Sequence, residues 1–171
     1  PLEGNKTSAS VRFTTTDATF SSMGLRFGGR YDKNLFKDAT KFGVLVVKTS
    51  DLNGQSISSL YNNTNLDEFI NSLADYSYLN SDATSTKALV DANGNVSENG
   101  SYYQFACVVT NILEHEKEEL TAVVYAEING VVYFMEETTY SFYSALQMTL
   151  TTGSLTDYER QAIEGALALI K

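Results

Sequence analysis

The segment from Tyr102 to Glu137 constrains the fold more than any other part of the chain. It holds a long apolar run (YYQFACVVTNIL), a second run (TAVVYAEI), the dipeptide Asn129-Gly130 and a third run (VVYFMEE). Asn-Gly between two such runs is the favoured two-residue hairpin loop, because both central residues of that turn need a positive φ. The turn predicts a register. Ile128 faces Val131, Ala126 faces Tyr133 and Val124 faces Met135 on one side of the hairpin, while Tyr125 faces Phe134 and Glu127 faces Val132 on the other. Both sides are too apolar for a sheet wetted on one face, so the second face needs a cover. In the first run, Tyr103, Phe105, Cys107 and Val109 make an apolar face and Tyr102, Gln104, Ala106 and Val108 a more mixed one.

Upstream, alternation predicts two half-buried antiparallel strands. Val11 and Phe13 oppose Ser10, Arg12 and Thr14; then Met23, Leu25, Phe27 and Tyr31 oppose Ser22, Arg26 and Arg30, with a bulge expected at Gly28-Gly29. Residues 32–40 read as a polar connection. Phe42 to Val47 (FGVLVV) is apolar on both faces, the mark of a central strand covered on two sides, and it runs into a turn at Asp51-Leu-Asn-Gly54. Leu66, Phe69, Ile70 and Leu73 have helical spacing behind Asn65 and Glu68, an N-cap and its N3 partner. Residues 74–100 are the least regular, with two Asn-Gly turns.

Residues 140–150 read as helical and close at Gly153. Thr156-x-x-Glu159 is a capping box that opens a second helix through Leu169, with Tyr158, Ala162, Ile163, Ala166, Leu167 and Ile170 as its apolar stripe. The expected fold is therefore mainly β: an antiparallel β-sandwich with a short internal helix and two C-terminal helices packed on it, those helices covering the hairpin's second face. Residues 1–9 are expected to be a disordered N-terminal segment, and 10–171 a single domain of sufficient length for a substantial core.

Charge narrows the partners. Twelve basic against 21 acidic residues leave −9, a surface that repels phosphate backbones and anionic lipid heads, so nucleic acid is not expected. No apolar run approaches the ~20 residues of a membrane span, and no membrane insertion is expected. No signal peptide is present, but the opening PLEGNK reads like a piece excised from a longer protein. Cys107, the only cysteine, sits inside FACVV and reads as a buried, inert thiol.

Catalytic and metal chemistry find little support. The lone histidine, His115, lies among Glu114, Glu116, Glu118 and Glu119 in a solvated connection with no nucleophile beside it. Glu127, Glu136 and Glu137 sit on strands where glycosidase pairs occur, but such a pair needs a cleft and one raised pKa. Asp91-x-Asn93-x-Asn95 begins like a calcium loop, yet Val96 and Tyr102 stand where the loop needs Gly and Glu. The expectation is no enzyme, no cofactor and no metal. Two features could bind a ligand: the loop tyrosines Tyr61, Tyr76 and Tyr78, whose rings could stack on sugars, and Arg12, Arg26 and Arg30, a basic stripe on the polar face of the first two strands. The competing reading has the tyrosines tucked over a core edge and the arginines paired with carboxylates.

The succession GLRFGG, FGVLVVKTSDL, YYQFACVVTNI and LTAVVYAEINGVVYF with a terminal helix resembles a recurring extracellular accessory module of Firmicutes surface and secreted proteins. The resemblance covers roughly residues 10–150 and rests on Gly24, Arg26, Phe27, Asp51, Leu52, Phe105, Asn111, Ile112, Thr121, Ala122 and Tyr125. The arginine common before the terminal helix of such modules is absent, ETTYSFY standing there. Such modules accompany bacterial Ig-like, dockerin and glycoside hydrolase domains. The resemblance implies a noncatalytic, extracellular or cell-surface role: binding of polysaccharide or host glycan beside other domains of the same parent protein, or service as a structural spacer or protein-interaction module of an adhesin. Tyr61, Tyr76, Tyr78, Arg26 and Arg30 are the expected ligand-binding residues.

Overall fold

The structure, a computed structural model, describes residues 6–12, 23–36, 38–62, 65–73, 85–91, 95–110, 114–152 and 154–170. In chain order the elements are β1 (Ser8–Arg12), β2 (Gly24–Asp32), the single turn α1 (Lys33–Phe36), β3 (Lys41–Lys48), α2 (Leu66–Ser72), β4 (Ser85–Val90), β5 (Tyr102–Val109), β6 (Leu120–Ile128), β7 (Val131–Phe134), β8 (Thr138–Tyr140), α3 (Phe142–Thr152) and α4 (Asp157–Leu169). Short 3-10 turns follow β3 at Thr49–Leu52 and Ser58–Leu60. The fold is mainly β, as expected.

Two antiparallel sheets face each other. The first has the order β1-β2-β5-β4; in the second, β6 pairs with β3 along one edge and with β7 and β8 along the other. Between them lies the main core. Leu25, Phe27 and Tyr31 of β2 meet Phe105, Cys107 and Val109 of β5, Val44 and Val46 of β3, and Ala122, Val124 and Ala126 of β6. Each large apolar side chain buried here contributes roughly 1.5–3 kcal/mol. The two faces read from β5 by alternation are those observed. So is the hairpin register, with Asn129 and Gly130 at φ 52° and 79°.

The second sheet has its own cover and a second core. Leu45 and Val47 of β3 and Val123 of β6 point away from the first sheet and are buried by Leu52, Ile57, Leu66, Phe69 and Leu73 of the 49–73 excursion. Its helix α2 is capped as expected, Asn65 Oδ1 accepting from the amides of Asp67 and Glu68. This corrects the assignment of the cover to the C-terminal helices. Phe142, Ala145 and Leu146 of α3 and Ile163 and Ala166 of α4 belong to the main core between the sheets. Both segments carry apolar stripes, and periodicity alone does not choose between the surfaces they fit.

Four further expectations need correction. FGVLVV is covered on both faces but is an edge strand among the described residues, where β3 pairs only with β6. The irregular 74–100 region contributes a strand, β4, paired with β5 from Ser85–Cys107 to Val90–Tyr102. Tyr158 of the α4 stripe is 47% exposed. Gly28-Gly29 is not a bulge: β2 keeps one unbroken register with β1 and with β5. Its glycines serve close approach. A Cβ on Gly28 would collide with the Phe105 carbonyl oxygen, and one on Gly29 with Met135 Sδ, so the sheet is thin here on both faces.

A bulge does occur, in the second sheet. Tyr125 pairs with Phe134 and Ala122 with Thr138, so Val123 and Val124 face three residues, Met135, Glu136 and Glu137. Thr7 fills the irregularity: its N–H donates to the Glu136 carbonyl (2.8 Å), and its hydroxyl accepts from the buried Val124 N–H (3.1 Å). Thr7 is wholly buried and β1 begins at Ser8, which corrects the expectation of a disordered 1–9 for residues 6–9; residues 1–5 lie outside the described residues. The N-terminal strand thereby ties one sheet to the other.

Candidate functional site

The outward residues of the first sheet build a trough. Three cross-strand rows define it through the registers of β1, β2 and β5. Ser8, Gly28 and Ala106 form the floor, Ser10, Arg26 and Val108 one rim, and Arg30 and Gln104 the other. The floor is low because Gly28 has no side chain and the residues beside it are small. The Ser8 hydroxyl is turned onto the Gly28 carbonyl at 3.1 Å. The resulting cavity is about 200 Å³ and is lined by Ser8, Ser10, Arg26, Gly28, Arg30 and Gln104 with the backbone of Gly29 and Phe105 and the methyl of Ala106.

Arg26 and Arg30 are both exposed and stand on opposite rims. Four residues of strand place their backbones ~13 Å apart, so two long side chains reach over the trough from either side. No carboxylate lines it among the described residues. Arg26 makes no ion pair among the described residues; the three ion pairs there involve Lys41, Lys48 and His115. One row beyond Arg30, Tyr102 sits opposite Asp32 on the same face, half-buried. Of the basic stripe, Arg12 is half-buried opposite Gly24, at the far end from Arg30.

The tyrosines fare differently. Tyr61 is half-buried at the end of the second 3-10 turn. Its ring meets Phe69 edge-on at 5.3 Å and Phe134 at 5.6 Å, which makes it part of the lid over the second core and not of an open groove. Tyr76 and Tyr78 lie outside the described residues. The structure thus brings together Arg26 and Arg30 and separates Tyr61 from them. Ser8, Ser10 and Gln104 were missed by the sequence reading. Alternation gives their direction, but their neighbourhood depends on β2–β5 pairing between residues more than seventy positions apart.

A second concavity lies at the other sheet. Thr121 links Thr49 and Thr139 by hydroxyl contacts of 2.8 and 2.9 Å, and with Gln55, Ser56 and Glu137 these line a cleft of about 280 Å³. The bulge at Glu136 is what turns Glu137 to this side. There its carboxylate accepts from the Ile57 and Ser58 amides, and burial, the larger influence, raises its pKa above the usual carboxylate value against those two hydrogen bonds. Glu137 therefore serves the 3-10 turn. Glu127 lies four residues along β6 from the position facing Glu137, ~13 Å away at the backbone, wider than the ~5–9.5 Å between the carboxyl groups of a glycosidase pair.

The remaining candidates have local explanations. Burial pushes the Cys107 thiol up to about 11, so it holds its proton at neutral pH. His115 Nδ1 lies 3.1 Å from Glu118 on an exposed loop. Asp91 Oδ1 accepts from the Asn95 amide and closes its own turn. No helix among the described residues is long and apolar enough to cross a membrane. Comparison with family models, with curated proteins and with solved structures found no match.

Proposed function

We propose that the protein is a noncatalytic carbohydrate-binding module, working outside the cell or at its surface within a larger secreted protein, and that its ligand lies across the outer face of the first sheet. The observation that carries this reading is the trough between Arg26 and Arg30. It is a polar channel on the outer face of the first sheet, with no cover among the described residues, hydroxyl, amide and guanidinium groups along its walls and small residues at its floor. A flat, hydroxyl-rich chain needs directional donors and acceptors without a deep pocket. The position of Tyr61 takes that residue out of the expected site, and the arginine face is the part of the expected site that lies among the described residues.

Affinity electrophoresis of the whole chain against a panel of plant and mucin polysaccharides tests the reading, with an Arg26→Ala, Arg30→Ala double variant alongside. Retardation by at least one polysaccharide, lost in the variant, is expected. An absence of retardation across the panel would favour the alternative, a spacer or protein-interaction module of an adhesin, which the inward packing of Tyr61 also suits.

A further inference from the structure

We infer that the trough selects a polysaccharide bearing carboxylates, a uronate polymer, over neutral glycans; this deepens the proposed reading and rests on it. The protein carries −9 overall, yet the described residues that line the trough include two guanidinium groups and no carboxylate. A generic sugar site does not require two guanidinium groups. Guanidinium matches a carboxylate with two parallel N–H donors, in a way that a hydroxyl cannot use.

The placement of the charges adds the geometry. Arg26 and Arg30 flank the Ser8–Gly28–Ala106 floor from opposite sides, one row away each. In an extended two-fold polysaccharide ribbon each sugar is turned over relative to the last, so its carboxylates project alternately to the two edges. A ribbon lying along the floor then offers one carboxylate to Arg26 and the next to Arg30. Gln104, beside Arg30, and Ser10, beside Arg26, are placed to hydrogen-bond ring hydroxyls. The floor tolerates no side chain at Gly28, which keeps the ribbon close to the sheet. The surrounding negative surface would repel a polyanion elsewhere, confining it to this channel and making binding weaken as salt rises.

The test uses the full chain and one polymer in two charge states: polygalacturonate, and the same polymer with its carboxylates methyl-esterified. A neutral galactan and a sulfated galactan complete the set. Titration calorimetry and affinity electrophoresis are run on the wild type, Arg26→Gln and Arg30→Gln, each variant first shown to unfold at the wild-type temperature. Polygalacturonate is expected to bind at least tenfold more tightly than its ester, and each variant to lose about tenfold for the free acid while changing little for the ester. Equal binding of acid and ester would overturn the charge preference and leave the glycan-binding reading standing. Binding of the sulfated polymer alone would overturn the choice of carboxylate. A preference for the acid that survives both variants would overturn the assignment to this trough, and silence from all four polymers would sink the inference together with the reading beneath it.

Discussion

On the first sheet the outward residues of β2 are Gly24, Arg26, Gly28, Arg30 and Asp32; on the second sheet those of β6 are Thr121, Val123, Tyr125 and Glu127. The first set offers almost no apolar surface to a covering element. Of these, Arg26, Gly28 and Arg30 line the trough. The second set, joined by Leu45 and Val47 of β3, offers a continuous apolar patch, and the 49–73 excursion folds over it to make a second core. Two sheets sharing one inner core thus have different outer faces, one sealed and one open among the described residues, and the difference lies in a handful of outward residues. Stability is concentrated on the sealed face, and the proposed recognition falls on the open one.

If that division holds, the largest effect follows from unsealing the second sheet. Phe69 is 4% exposed and meets both Tyr61 and Phe134 edge-on. Phe69→Ala should cost roughly 3–5 kcal/mol and lower the unfolding midpoint by on the order of 10 °C. Val108→Ala, on the outer face of the first sheet, should cost no more than about 1 kcal/mol. Urea unfolding of both variants would show the contrast, and equal losses would break it.

Much of this arrangement is legible in the residues, but unevenly. Local signals carry well: Asn129-Gly130 sets the hairpin register, Asn65 and Thr156 open their helices, and alternation puts Arg26 and Arg30 on one face. What fails is partner choice. The 49–73 excursion and the C-terminal helices both carry apolar stripes, and only packing in three dimensions decides which seals the second sheet and which enters the main core. Gly28-Gly29 reads as a bulge because glycine in a strand often marks one, whereas here the missing side chains make room for a neighbouring strand's backbone and for Met135. The true bulge, at Glu136, depends on Thr7 arriving from far away in the chain. The trough is harder still, since it needs the registers of three strands at once.

Glu137 sharpens the comparison at intermediate scale, because its carboxylate pins the cover of the sealed face. Removing it in Glu137→Ala leaves the Ile57 and Ser58 amides without their acceptor and should cost about 1–3 kcal/mol. Glu137→Gln keeps an acceptor oxygen and removes the charge. Burial raises the folded-state pKa of Glu137 above its ordinary 4.5, so the group favours the fold fully below 4.5, and that contribution is lost as pH rises through the raised value. The glutamine variant should therefore gain on the wild type between pH 4 and pH 7, measured as the difference in urea midpoint at each pH. A flat difference would mean that the carboxylate feels no net penalty where it sits.

The smallest expected effect on stability is on the open face, and there a near-zero result is informative. Arg26 is exposed, and among the described residues it makes no ion pair and borders a channel with no cover. Its side chain is exposed, so Arg26→Ala should change the unfolding free energy by no more than about 0.5 kcal/mol. Its consequences should appear in polysaccharide retardation instead. The two readouts separate the roles that an arginine on a sheet can have. A variant that binds nothing yet unfolds like the wild type marks Arg26 as a ligand contact. A loss well above 1 kcal/mol would make it a brace across the first sheet, and the open face would then contribute to stability much as the sealed one does.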